Sequence, residues 1–204
     1  MITPIYAGVV LAAGGSRRFG GPVAKQLVEI DGEVAVRRAV RRALESRLER
    51  VVVVTGHETD AVGRAVDGLA VDLVHNPGWR QGQSSSVKAG LWEVADGAVA
   101  AVFIPCDQPF LTAGLIDRLI ARHAAGEAAI VVPAWCGKRG APVLIDSSLF
   151  AQLETISGDA GARQLFAGHT VVELEIDDER PLLDFDSESR LRELLDRPPV
   201  RNPG

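Results

Sequence analysis

Cysteine is nearly absent: Cys106 and Cys136 are the only two in 204 residues. Two thiols with no metal-like spacing make neither a disulfide framework nor a zinc site, so a reduced, cytoplasmic setting is the expectation. Long apolar runs are missing as well. The stretch 5–13 is too short to span a bilayer and has no basic segment before it, so neither an anchor nor a signal peptide is expected. Positive charge is not in excess; the net charge is −5 and the pI is near 5.4. That balance argues against a generic nucleic-acid or anionic-membrane binder, and any anion site must be a local basic pocket on an acidic body. There is no internal repeat, and no pair among the four histidines has zinc-ligand spacing. His57, after an apolar run, is placed to line a pocket, while His75, His123 and His169 read as structural or exposed.

The hydrophobic content of 47% and charged content of 24% are those of a globular protein long enough to bury a substantial core. One domain over 1–196 is expected, followed by a Pro-rich tail, 197–204, expected to fray. Short apolar runs alternate with amphipathic stretches, which predicts an α/β domain: a mostly parallel sheet flanked by helices in three layers. The strand candidates are 5–11, 50–55, 71–75, 99–104, 128–133, 141–145 and 170–176. Helical spacing of Val36, Ala39, Val40, Ala43 and Leu44 marks a first helix, with further helices over 58–67, 84–95, 112–124, 147–153 and 188–196. Arg37, Arg38, Arg41 and Arg42 lie opposite the apolar stripe of the first helix and read as a solvated face, not a nucleic-acid patch. In such a sheet ligands bind beyond the carboxyl ends of the strands, so the loops there carry the argument.

The first of these loops is the most unusual. In "VVLAAGGSRRFGGPVAKQL", residues 9–27, a buried strand breaks into glycines, two arginines and a lysine. Glycines let backbone amides approach a ligand, and the cations point to an anion, with phosphate the first choice. No Gly-Lys-Ser/Thr follows, so this is not a Walker loop, and the Gly-x-Gly-x-x-Gly dinucleotide fingerprint is not matched. The segment "LAAGGSRRFG" followed by "KQL" resembles the signature loop of the nucleotidyltransferases that activate sugar phosphates, isoprenoid precursors and the molybdenum cofactor. The resemblance implies a Rossmann-like fold and a loop that wraps the triphosphate of a nucleotide. Its matching residues are Leu11, Ala12, Ala13, Gly14, Ser16, Arg18, Gly20 and Lys25, with Arg18 and Lys25 offsetting phosphate charge. The lysine follows the last glycine at a longer gap here than is usual in the family.

Later motifs narrow the resemblance to the molybdenum cofactor cytidylyltransferase family. "NPGWRQGQSSSVKAGL" (76–91) resembles that family's segment at this place, implying that Gly82, Ser85 and Ser86 lie near the nucleotide at a helix start, where hydroxyls and free amides suit a polar ligand. A Ser-rich N-cap is the alternative. "FIPCDQPFL" (103–111) delivers Asp107 from an apolar strand, well placed to hold Mg²⁺ against a triphosphate; a turn aspartate bonding its own backbone is the competing reading. Cys106 beside it reads as a small packing residue. "GKRGAPVLI" and "SGDAGARQLF" resemble two further segments of the family, which makes Arg139, Gly140, Asp159 and Arg163 acceptor-side candidates, although Ala141 stands where the family usually has histidine. "LLDFDSESRL" (182–191) matches in kind at Asp184, Asp186 and Ser187. Asp186 is the candidate second metal carboxylate, against an acidic helix N-terminus favoured by the dipole.

The resemblance runs from Leu11 to Leu191 in order. It implies an enzyme that transfers CMP from CTP to molybdenum-loaded molybdopterin with release of pyrophosphate, with Mg²⁺ as cofactor, Arg18, Lys25 and Asp107 as catalytic groups, and a molybdoenzyme or its chaperone as a possible partner. A relative using GTP or another phosphorylated acceptor is one alternative, and a non-catalytic carrier of the cofactor is another. The second alanine of "LAAG", Ala13, favours cytidine, because the guanosine enzymes usually carry glycine there.

Overall fold

A computed structural model describes residues 5–16, 19, 23–126 and 128–198. Its chain order is β1 (Ile5–Ala12), β2 (Glu29–Ile30), β3 (Glu33–Val34), α1 (Ala35–Leu44), β4 (Arg50–Thr55), α2 (Thr59–Ala65) and β5 (Asp72–His75). There follow α3 (Gln83–Val94), β6 (Ala98–Pro105), α4 (Ala113–Ala124), β7 (Ile130–Trp135), β8 (Lys138–Arg139) and β9 (Val143–Asp146). The chain closes with α5 (Phe150–Leu153), β10 (Val171–Glu175) and α6 (Glu188–Asp196). The main sheet runs β10-β7-β9-β6-β1-β4-β5, with β8 paired to β7. β1 is parallel to both β4 and β6, and β9 runs antiparallel between β6 and β7. After β5 the chain crosses back through α3 to lay β6 on the other side of β1. That reversal opens a crevice above the ends of β1 and β6.

Alternation along the strands splits the core in two. Val10, Val51, Val53, Val102 and Ile104 face α1 and α4, which answer with Val36, Val40, Ile116, Leu119 and Ile120. Val9, Val52, Val54, Ala101 and Phe103 face α3 and α5, meeting Val87, Leu91, Val94, Phe150 and Leu153. Period-2 alternation in strands buried on both faces is the expected signature of a sheet covered by helices. A third, smaller cluster joins Phe19, Ile30, Ala35, Phe185, Leu191 and Leu194, so that α6 closes over the β2–β3 hairpin beside the crevice.

This is a single α/β Rossmann-like fold with a mostly parallel sheet, as the alternation predicts. One element differs in kind. The helix expected over 147–153 begins as a 3-10 turn, 147–149, because the Asp146 carboxylate accepts from the Ser148 N–H at 2.8 Å and tightens the entry; only 150–153 is α-helical. The arginine face of α1 is solvated and paired, as expected: Arg41 lies 3.3 Å from Glu33 and 3.2 Å from Glu45, and Arg42 lies 2.5 Å from Glu45. Among the described residues no helix is long and apolar enough to cross a membrane.

Candidate active site

The loop after β1 is held by one buried side chain. Gln26, only 3% exposed, donates through Nε2 to the carbonyls of Gly14 (3.2 Å) and His57 (3.3 Å). Its Oε1 accepts from the Ser16 hydroxyl at 3.0 Å, while that hydroxyl accepts from the Lys25 N–H at 2.8 Å. The Ser16 hydroxyl thus gives its proton and one lone pair to the loop, so Ser16 shapes the cradle as well as lining it. The His57 N–H donates to the Ala13 carbonyl at 3.1 Å. His57 thus acts through its backbone, ties β4's end to β1's, and is not among the residues lining the crevice.

The crevice holds a cavity of about 530 Å³. From the first loop, Leu11, Ala13, Gly14, Ser16 and Lys25 line it, and from the second, Gly82 and Ser86. Asp107 and Asp186 complete the expected set on its other side. Ala12 is 1% exposed at the end of β1, pairs with Thr55 and does not reach the cavity. Arg18 and Gly20 lie outside the described residues. Lys25 does reach the site despite its longer gap from the glycines: its Nζ is 2.5 Å from Asp107 Oδ2 and 5.6 Å from the centre of the Phe185 ring. The 184–186 segment is fixed to the same place, because the Phe185 N–H donates to the Asp107 carbonyl at 3.1 Å. That backbone bond accounts for Asp186 standing in the same cavity as Asp107.

Ser85 does not line the cavity. Its hydroxyl lies 2.8 Å from the Gly82 carbonyl and 3.0 Å from that of Gly78, and accepts from Asn76 Nδ2 at 2.8 Å. Asn76, 4% exposed, also donates to the Ser86 hydroxyl at 3.0 Å and accepts from the Gly78 N–H at 2.9 Å. The first amides of α3 are not all free either, since the Ser84 N–H donates to the Gly158 carbonyl at 3.0 Å. This contact requires Gly82: its φ is +104°, and a Cβ there would lie 2.5 Å from the Gly158 carbonyl carbon. The approach of 158–159 also carries Asp159 into the larger cavity, away from the acceptor side where the resemblance put it.

A second cavity of about 190 Å³ adjoins the first, sharing Leu11, Gln83, Pro105 and Asp107 with it. Arg163, Gln108, Ala141 and Asp184 line its far wall. Gln108 is 6% exposed and donates to the Ala141 carbonyl at 3.2 Å. Arg139 is turned elsewhere: it pairs with Glu173 at 2.7 Å on the exposed β8. Gly140 is likewise outside both cavities, where the Leu182 side chain packs against its Cα. Of the four acceptor-side candidates, the smaller cavity gathers Arg163 alone. The Cys106 thiol is pushed up to about 12 by burial and then by the neighbouring Asp107 charge, so it stays protonated and is no nucleophile.

Trp79 and Arg80, which line the larger cavity, stand inside the 76–91 segment but were not singled out there as site residues. The signal available for them was the glycine pair Gly15 and Gly56. A Cβ on Gly15 would lie 2.5 Å from the indole, and one on Gly56 would lie 2.7 Å from Trp79 Cβ and 2.8 Å from its Cγ.

Comparison with known proteins gives the family. The family described as "MobA-like NTP transferase domain" matches residues 8–174. Nicotine blue oxidoreductase of Paenarthrobacter nicotinovorans is 33% identical over 168 residues, 78% of this chain and 80% of that protein. The molybdenum cofactor guanylyltransferase of Burkholderia orbicola is 29% identical over 210 residues, 96% of this chain and 98% of its own. Among solved structures, Rv0371c of Mycobacterium tuberculosis H37Rv superposes with a TM-score of 0.86 at 28% identity, over 97% of this chain and all of that one. Its manganese complex superposes with a TM-score of 0.81 at 26% identity, over 95% of this chain and 100% of that one. With its glycine-rich loop at the strand-order reversal and a family match across most of its length, the chain belongs to the MobA-like NTP transferase domain family.

Proposed function

We propose that this protein transfers a nucleoside monophosphate from a nucleoside triphosphate, CTP in the first reading, to the terminal phosphate of a molybdopterin-type acceptor. The observation that carries the proposal is the meeting of two cavities at one carboxylate, Asp107. The larger has room and loop amides for a nucleotide. The smaller brings Arg163 to a group entering from the other side. An oxygen of the acceptor phosphate would attack the α-phosphorus, a new oxygen–phosphorus bond forming as the bond to the β-phosphate bridging oxygen breaks, and pyrophosphate leaves. Alignment of the two phosphates and relief of their charge are what the protein must supply.

Charge in the larger cavity supports a divalent cation. Its described lining brings Asp107, Asp159 and Asp186 to one cavity, carboxylates that suit a cation carried in with a triphosphate. Asp107 and Asp186 fit a Mg²⁺-type ion, which takes one or two carboxylates and fills its shell with phosphate oxygens and water. Among the described residues no cluster of three or more acidic, His or Cys side chains makes a closed cage. When bound, the cation would offset charge on the phosphates as it builds in the transition state. The solved manganese complex of Rv0371c supports a divalent metal in this family's fold.

GTP is the second reading, favoured by a guanylyltransferase relative matching 96% of the chain. The Ala13 methyl, the feature on which the preference for cytidine rested, is 2% exposed and turned against Gly56, whose added Cβ would lie 2.9 Å from it. It therefore leaves base choice to other groups. Pyrophosphate release, measured with CTP, GTP, ATP and UTP with and without molybdenum-loaded molybdopterin, tests both readings. Acceptor-dependent release with CTP at least tenfold faster than with GTP supports the first. A GTP preference replaces it with the second, and no release with any nucleotide overturns the transferase.

A further inference from the structure

The flank of the larger cavity opposite Asp107 is formed by Trp79 and Arg80. Asp107 follows β6 and these two follow β5, and the intervening order is β6-β1-β4-β5. Three strand spacings of about 4.8 Å separate the flanks by roughly 14 Å. A nucleotide whose phosphates lie at Lys25 and Asp107 therefore directs its base toward Trp79 and Arg80.

This flank is built. Gly15 and Gly56 leave the space that the indole fills, and the His57 ring lies 5.3 Å away, centre to centre. The Arg80 guanidinium sits over the indole, 4.2 Å from its centroid, a distance at which cation–π attraction holds it against the ring. Among the described residues no carboxylate pairs with Arg80. Its N–H donors are left for something in the cavity.

We propose that Arg80, held against Trp79, selects the nucleobase; the proposal rests on the nucleotidyltransferase reading and sharpens it. A guanidinium has donors only, in a planar fork that is best satisfied by two neighbouring acceptors. Guanine offers O6 and N7 together, and cytosine offers O2 and N3. Adenine and uracil set a donor beside each acceptor on the corresponding edge, which leaves one arm of the fork unpaired. Arg80 thus favours cytosine or guanine over uracil and adenine, and Trp79 is a positioning residue that acts through it.

The test is the affinity of α,β-methylene analogues of the four triphosphates, with inorganic tripolyphosphate as a base-free probe, for the intact chain. Wild type should bind the CTP or the GTP analogue at least tenfold tighter than the UTP and ATP analogues. Arg80→Gln and Arg80→Lys, at an exposed position, should bring all four within about threefold of one another while tripolyphosphate affinity stays unchanged. Trp79→Leu should compress the base ratios in the same way with Arg80 intact, a change that mere loosening of the fold would not confine to the base. Equal losses for all four analogues, a loss of tripolyphosphate affinity in Arg80→Gln, or unchanged ratios would each overturn the proposal. Unchanged ratios in an enzyme that still releases pyrophosphate would do so while the transferase reading stands; a wild type that binds no analogue would remove both.

Discussion

Asp107 is the side chain on which the proposed chemistry converges, since it borders both cavities and touches Lys25. Replacing it with asparagine removes charge and keeps shape, so turnover at saturating Mg²⁺ should fall by at least a hundredfold, about 2.7 kcal/mol in the barrier, while the melting temperature changes little. Steady-state rates beside thermal melts check this, and near-normal turnover would exclude Asp107 from the metal. Asp186→Asn should give a weaker form of the same defect. Asp107 was legible because it closes an apolar run with a charge that the run has no use for, and Lys25 because it is a cation ending a glycine-rich loop. Gln26, Asn76, Trp79 and Arg80 were not. Gln26 bonds groups ten or more residues away, Asn76 reaches the start of α3 nine and ten residues on, and Trp79 fills the gap at Gly15 and Gly56; a buried amide or an indole leaves no local pattern.

Elements were more legible than side chains. Every proposed strand and helix has a counterpart, because alternation and 3.6-residue spacing report burial directly. The two-residue strands β2 and β3 and the 3-10 segment 161–167 went unmarked, being too short for a period to show. The loop between β1 and β2 is the element where stability and binding meet. Gln26→Ala would strand the Gly14 and His57 carbonyls and the Ser16 hydroxyl; an unsatisfied buried polar group costs about 1–3 kcal/mol. The expected result is a lower melting temperature together with at least tenfold weaker nucleotide affinity. Calorimetric titration of the folded variant checks it, and wild-type affinity would show that the loop holds its shape without the staple.

The molecule as a whole has a second polar network at the far end of the sheet. Tyr6 Oη lies 3.0 Å from His123 Nδ1, and His123 Nε2 lies 2.8 Å from Asp146 Oδ2, joining β1, α4 and β9. Burial pushes the Asp146 carboxyl up, but hydrogen bonds from Ser148 and then His123 outweigh it and hold the group below its ordinary 3.8. A carboxyl depressed in the folded state contributes stability above that ordinary value, and the contribution is lost as pH falls through the folded-state value. Denaturant melts of wild type should therefore weaken as pH drops below about 4, and Asp146→Asn should flatten that slope; parallel curves would remove Asp146 as its source. The Lys25–Asp107 contact has a different consequence at this scale. In the unliganded molecule the carboxylate already has an ammonium as its counter-ion, so the fold carries no debt to a metal. Extensive treatment with a chelator should leave the unfolding midpoint of the nucleotide-free protein where it was, and a marked drop would mean that a cation other than Lys25 had been holding the crevice together. On the proposed reading, a metal would come to this protein with its nucleotide, to a carboxylate already paired before it arrives.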